Sequence, residues 1–226
     1  MDLLLSKILA EEFLSPIWIS IKIATLSGVV VIIIGTLTGR LLARTSFKGK
    51  AILETILMLP MVLPPTVVGF FLIVIFGKNS IMGQAIEWIF TQPIIFTWSA
   101  AVIAAIVVAF PLMFQSAKSG FQGVDRDIED SARVDGASEW RVFLFISIPL
   151  ASKALITGSI LSLARALGEF GATLMFAGNI PGETQTIPIA IYIAIDSGNM
   201  TMAWLWVISI VVISFLMLLA IRVKQE

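Results

Sequence analysis

Cysteine and histidine are both absent from the 226 residues. Without cysteine there is no disulfide, no thiolate metal ligand and no cysteine nucleophile. Without histidine the chain lacks the commonest general base and metal-binding side chain. Charge is scarce too: Asp, Glu, Lys and Arg make up 13% of the residues, about half the share in an ordinary soluble domain. Fifteen basic residues balance fifteen acidic ones, so only the distribution of charge can inform. Apolar residues, in contrast, reach 58%, and the mean hydropathy is +1.00. Such a chain cannot coat a globule with ionised groups. A soluble enzyme, a nucleic-acid binder and a disordered tail are excluded, and an integral membrane protein remains.

A helix needs about 20 mainly apolar residues to cross a hydrocarbon core about 30 Å thick. Long runs with few charges place five spans, roughly 16–40, 52–76, 93–116, 152–177 and 202–222. The expected fold is therefore all-α, one membrane domain of about five transmembrane helices over residues 1–226. Residues 184–195 are apolar but reach only about 18 Å as a helix, so they read as a short or re-entrant helix. Two of the spans carry internal prolines, Pro60, Pro64 and Pro65 in the second and Pro93 and Pro111 in the third. These prolines either shape the bundle or unwind a helix at 63–66 that lines a conduit.

Basic residues fix the expected orientation. Eleven lie on one side: Arg40, Arg44, Lys48, Lys50, Lys118, Arg126, Arg133, Arg141, Lys153, Arg222 and Lys224. The other side has Lys7, Lys22 and Lys78. The basic side is expected to be cytoplasmic, with the N-terminus outside, the C-terminus inside and the chain in the cell (plasma/inner) membrane. Asp2, Glu11 and Glu12 replace a basic leader, and Arg and Lys follow the first apolar run, so that run is expected to stay as an anchor. Five of the six tryptophans, Trp18, Trp88, Trp98, Trp204 and Trp206, fit interfacial belts or bundle contacts.

The polar segment 118–150 is patterned rather than tail-like. Val124, Ile128 and Ala132, with Ser131 and Val134 alongside, make an apolar stripe on a helix. Asp125 and Asp127 suit its start, and Gly136 suits its end. Ser138 opens a second helix, and Pro149 precedes the fourth span. The stripe docks either on its own bundle or on a cytoplasmic partner.

Read from Asp130, this segment is D-S-A-x3-G-x9-I-x-I-P, with Asp130, Ser131, Ala132, Gly136 and Pro149 in place. It resembles the E-A-A-x3-G-x9-I-x-L-P motif of binding-protein-dependent ABC importer permeases. The departures are Asp for Glu, Ser for Ala and Ile for Leu. In that family the segment is the coupling helix seated in the ATPase subunit, which implies ATPase coupling by Glu129, Asp130, Ser131, Ala132, Asp135, Gly136 and Pro149. Residues 165–173, R-A-L-G-E-F-G-A-T, followed by M-F-A-G-N at 175–179, look like the fourth-span signature of the molybdate/sulfate branch. Residues 59–69, L-P-M-V-L-P-P-T-V-V-G, are similar to the second span of molybdate permeases. The resemblance implies an importer of molybdate, with tungstate or sulfate/thiosulfate as alternatives. It also implies a second copy of the chain, a cytoplasmic ATPase dimer and an extracytoplasmic oxyanion-binding protein.

Arg165 and Glu169 are the ionisable residues deep in a span, four apart and so on one helix face. They read either as a structural ion pair or as groups lining the path of an anion. With Pro64, Pro65, Thr66, Gly168 and Gly171 they form the candidate translocation path. No G-x4-G-K-[ST] loop is present, since Gly49-Lys50 lacks the upstream glycine and the hydroxyl. The chain is thus expected to be no enzyme and to bind no cofactor, with ATP and Mg held by the partner ATPase.

Overall fold

The computed structural model describes residues 2–222, with side chains described for 11–219. Every regular element among them is helical. In chain order these are α1 (Asp2–Arg44), α2 (Lys50–Val62), α3 (Pro65–Phe76), α4 (Ile81–Phe90), α5 (Trp98–Gln122), α6 (Arg126–Val134) and α7 (Glu139–Val142). A π-helical turn over Phe143–Ser147 leads into α8 (Ile148–Leu167), followed by α9 (Gly171–Phe176), α10 (Ile187–Asp196) and α11 (Met200–Arg222).

The centre of the molecule is α5, packed between α1 and α8. Its inner faces are lined by Ala100, Ala101, Ala104, Ala105, Ala109 and Ala117, all with no exposure. Small side chains let helix backbones approach closely, which is how bundles cohere where lipid is as apolar as protein. A β-carbon on Gly39 of α1 would stand 2.7 Å from the Ala117 Cβ, and one on Gly158 of α8 would stand 2.6 Å from the Ser116 Cβ. Both α1 and α8 are therefore pressed onto α5 at distances no side chain would permit. A second cluster joins Ile187, Ala190 and Ala194 of α10 to Ala203 and Trp206 of α11. It is tied to α1 by two buried polar contacts: Ile187 N–H donates to Ser20 Oγ at 2.8 Å, and Trp206 Nε1 donates to the Phe13 carbonyl at 3.0 Å. Trp206 is thus a bundle contact, whereas Trp18, Trp88 and Trp204 stay exposed. Ile208, Val211 and Phe215 of α11 are exposed as well, an apolar outer face suited to lipid.

Several boundaries differ from the sequence expectation. The second span is not one helix over 52–76: α2 and α3 meet at a bend of 117°. Two consecutive prolines cause it. Pro65 pushes Pro64 into an extended conformation (φ −53, ψ 135), and neither donates an N–H. The third span starts at Trp98 rather than 93, because Thr97 caps it and accepts from Ala100 N–H at 3.3 Å. The fourth span stops at Leu167, ten residues before the expected 177. At its other end, Pro149 does not separate a cytoplasmic helix from the span. One continuous helical run extends over Glu139–Leu167. The π turn absorbs the bond that Pro149 cannot make, by shifting the local register. Among the described residues four helices are long and apolar enough to cross a membrane, or five if the bent pair counts as one span. The expectation for 184–195 holds in kind: α10 has ten residues, about 15 Å. Pro188 sits in its first turn, where a missing N–H costs nothing.

Candidate functional site

Two places gather the unusual residues: the short helix α6 with its surroundings, and the level at which α3 and α9 begin.

The helix α6 is closed at both ends by its own sequence. Asp125 Oδ1 accepts from Asp127 N–H at 3.0 Å, and Asp127 and Glu129 in the first turn and Arg133 in the last complement its dipole. At the far end Gly136 has φ +87. Ala137 N–H returns to the Ala132 carbonyl and Gly136 N–H to the Arg133 carbonyl, both at 3.0 Å. This paired closure requires a left-handed residue at 136, which favours glycine. Arg133 then staples α6 to α7, with Nε 2.6 Å from Glu139 Oε1 and Nη1 2.5 Å from Asp130 Oδ1. The Arg133 hydrogen bond holds the Glu139 carboxyl below its ordinary value, and the same bond raises Arg133.

The face turned towards the bundle carries Glu129, not the apolar stripe. Glu129 is 1% exposed. Its Oε1 lies 2.7 Å from Arg40 Nη1 and 3.0 Å from Arg44 Nη2, and it accepts from Ser147 Oγ at 2.7 Å. Arg44 Nη2 also donates to the Val124 carbonyl at 3.0 Å, and the Arg40 guanidinium stands over the Phe121 ring. Burial pushes the Glu129 carboxyl up, but the hydrogen bonds from Ser147 and Arg40 and the charges of Arg40 and Arg44 outweigh it. The net position is below the ordinary carboxylate value. The expected stripe is consequently split. Val124 is buried, whereas Ile128 is 48% and Val134 88% exposed. Two arginines one turn apart on α1 make a paired carboxylate tolerable inside, and the apolar side chains are left facing out. Asp130, Ser131, Asp135 and Gly136 share the outer side, and Ala132 is half-buried. Pro149 stands apart from them in the first turn of α8.

The second place is a crossing of two broken helices. The bend at Leu63–Pro64 opens α3, and the interruption from Gly168 to Phe170 opens α9. They meet where Gly171 presses on Pro65: an added β-carbon would lie 3.0 Å from the Pro65 Cβ and 3.4 Å from Thr66 N. Arg165 is in the last turn of α8, and Glu169 lies beyond the helix end rather than on its face. The two still pair, with Arg165 Nη1 2.7 Å from Glu169 Oε2. Glu169 Oε1 accepts from Ala172 N–H at 2.7 Å. The Glu169 side chain is 2% exposed and that of Arg165 31%. Pro64, Pro65, Thr66 and Gly168 are exposed beside it. Counted from Lys153, Arg165 is about 18 Å along α8, near the middle of a core about 30 Å thick. A partly open guanidinium at that depth faces water or another protein surface, not lipid.

The structure thus brings together Pro65, Thr66 and Gly171, and separately Arg165 and Glu169, at one level. It places Glu129, Asp130, Ser131, Ala132, Asp135 and Gly136 on one short helix. Sequence reading missed Arg40, Arg44 and Ser147 as functional residues. The i, i+4 spacing of the two arginines on α1 was the available signal, but it was used only to orient the chain. Among the described residues no cluster of acidic side chains is arranged to hold a metal ion.

A family model described as the binding-protein-dependent transport system inner membrane component matches residues 18–224. YvgM of Bacillus subtilis (strain 168) is 68% identical over 225 residues, covering 100% of this chain and 99% of that protein. The molybdenum transport system permease protein ModB of Escherichia coli (strain K12) is 42% identical over 205 residues, 90% of each chain. Among solved structures, a bacterial ABC transporter involved in the import of the acidic polysaccharide alginate superposes with a TM-score of 0.79. It is 16% identical and covers 99% of this chain and 82% of that one; that likeness concerns the fold.

Proposed function

The chain belongs to the family of binding-protein-dependent transport system inner membrane components, and from that membership we propose that it is the permease subunit of an ATP-driven molybdate importer. It is a multi-pass protein of the cell membrane and acts by moving a solute, with ATP hydrolysis on a separate partner. The observation that carries the coupling role is the orientation of α6. Its charged side is clamped into the bundle by Arg40 and Arg44, and its outer side presents Ile128, Val134 and, across the glycine turn, Trp140, which is 63% exposed. Exposed apolar groups on a rigidly held helix suit a packed protein partner. That partner is the ATPase dimer, which holds ATP and Mg.

Two copies of the chain enclose the conduit. The support is Arg165, partly open near mid-depth, together with Thr66 and Gly168 beside it, which lipid would leave unsolvated. A two-fold pair covers that face on both subunits. The basic loops face the cytoplasm, so the N-terminus is outside. When the ATPases close, the paired α6 helices are drawn together, and the clamp carries the motion into α1 and α8. The bundles rock and open outward to the docked oxyanion-binding protein, and hydrolysis resets them. Molybdate is favoured as substrate by the molybdenum permease relative that matches over 90% of this chain. Tungstate is a near-identical tetrahedral dianion and is expected to follow.

The test is ATP-dependent uptake into vesicles holding permease, ATPase and cognate binding protein. Molybdate and tungstate should compete with each other and outcompete sulfate at equal concentration. Sulfate winning would move the substrate to that anion; no ATP-dependent uptake of any of the three would sink the oxyanion-permease reading.

A further inference from the structure

We propose that Glu169 is an internal counter-ion occupying the face of Arg165 that the travelling oxyanion would otherwise take, and that it thereby keeps the passage from holding its substrate. The proposal rests on the oxyanion-permease reading above.

The first support is chemical. Glu169 uses one guanidinium contact at 2.7 Å and one backbone N–H at 2.7 Å. Charge-assisted contacts of these two kinds are what a tetrahedral dianion recruits from a protein. The carboxylate and the cargo therefore compete for the same donors.

The second support is the lopsided burial of the pair. Glu169 is 2% exposed and Arg165 31%. A structural ion pair sealed into packing would hide both partners; here the carboxylate is behind and the guanidinium is in front. A solute arriving at the crossing meets Arg165 first and finds its charge already balanced.

The third support is that the contact is single rather than forked. Glu169 Oε2 is buried and has no aligned hydrogen-bond partner among the described residues, although Arg165 Nη1 is close. Arginine and carboxylate can form two parallel bonds when geometry allows, and this pair does not. Arg165 keeps donors to guide an anion past, while the neutralised charge gives no deep well. Conduction requires that combination, because binding must be weak enough for the solute to leave.

A purely local role is the competing explanation, since Glu169 also caps the start of α9 through Ala172 N–H. Glu169→Gln separates the two. The amide keeps the acceptor and the shape but removes the charge. The experiment uses the complete transporter in nanodiscs without binding protein and measures equilibrium binding of radiolabelled molybdate, with tungstate and sulfate as parallel probes. The wild type should show weak binding. Glu169→Gln should bind at least tenfold more tightly, and its uptake should slow as release becomes limiting. Adding Arg165→Gln should abolish the gain. Wild-type affinity in an assembled Glu169→Gln complex refutes the proposal, as does tight binding that survives the loss of Arg165. If Glu169→Gln fails to assemble, Glu169→Asp decides. It retains the charge at the cap but draws the oxygen back from the guanidinium, and it should still tighten binding; unchanged affinity overturns the idea. Wild-type uptake is measured in parallel. Failure of the wild type on all three anions condemns the oxyanion-permease reading, whereas normal wild-type uptake with unchanged Glu169→Gln affinity condemns this proposal alone.

Discussion

Glu129→Ala is the most informative single change at the α6 clamp. It removes a 1%-exposed carboxylate and leaves Arg40 and Arg44 facing one another with side chains only 15% and 18% exposed. Ser147, which has no exposure, loses the nearer of its hydroxyl's two acceptors and keeps the Val142 carbonyl at 3.3 Å. Breaking a buried pair by deleting one partner costs about 3–5 kcal/mol. The arginines here border an open cleft of ≈ 370 Å³, and Arg44 keeps the Val124 carbonyl. Partial hydration therefore lowers the expected cost to about 2–4 kcal/mol. In a chain of this length that is a fall in melting temperature of about 4–16 °C. Glu129→Gln should cost less, because the amide oxygen still accepts from Ser147. Coupling should suffer more than stability: ATPase activity persists, but transport per ATP falls as α6 moves without α1. The pH dependence has a definite sign. A carboxyl held below its unfolded value of about 4.3 contributes fully above that pH and loses its contribution as pH drops through the folded value. The clamp should be indifferent between pH 8 and pH 6 and weaken only in stronger acid, a dependence that Glu129→Gln should abolish. Melting curves in detergent and stoichiometric uptake assays report both effects. A Glu129→Ala protein that melts within about 0.5 kcal/mol of wild type, an ordinary surface effect, and transports normally per ATP refutes the clamp.

Gly136→Val should leave insertion intact but strain the left-handed turn by about 1 kcal/mol or more; ATPase co-purification should fall, and unchanged co-purification with normal uptake would count against the coupling role. Glu183→Cys, in this cysteine-free chain, should react with a membrane-impermeant thiol reagent only from outside. Labelling only from the cytoplasm would reverse the assigned topology.

The sequence was most informative where one kind of interaction dominates. Apolar run length placed the α1, α5 and α11 crossings, and the glycine at 136 announced a left-handed turn that the backbone adopts at φ +87. It was less informative where two effects compete. Periodicity grouped Val124, Ile128 and Ala132 in one apolar stripe and left open whether the bundle or a partner takes it; on hydrophobicity alone a stripe outweighs a carboxylate for the inner face. Two arginines from a helix some eighty residues earlier reverse that balance, and no local window contains them. Hydropathy likewise ran the fourth span through to 177, since an interruption of three residues at 168–170 costs such a window little. The bend before Pro65 has the same origin: two prolines were visible, but the 117° angle depends on what α3 packs against, which is α9.

The π turn sets the clamp at the foot of a stiff rod. Ser147, its last residue, holds Glu129, and α8 runs from there to Arg165 over about 25 Å. A tilt of roughly 10° at that foot displaces the far end by about 4 Å, within the range of rigid-body switching. That exceeds the margin by which Gly171 rests on Pro65, where even one added carbon would stand 3.0 Å away. The leverage is geometric: a side-chain-sized shift at the foot of α8 becomes a displacement of about 4 Å at the level of the two helix breaks. Shortening α8 by one turn should shrink that stroke in proportion, so the length of this rod, as well as the residues along it, sets the displacement.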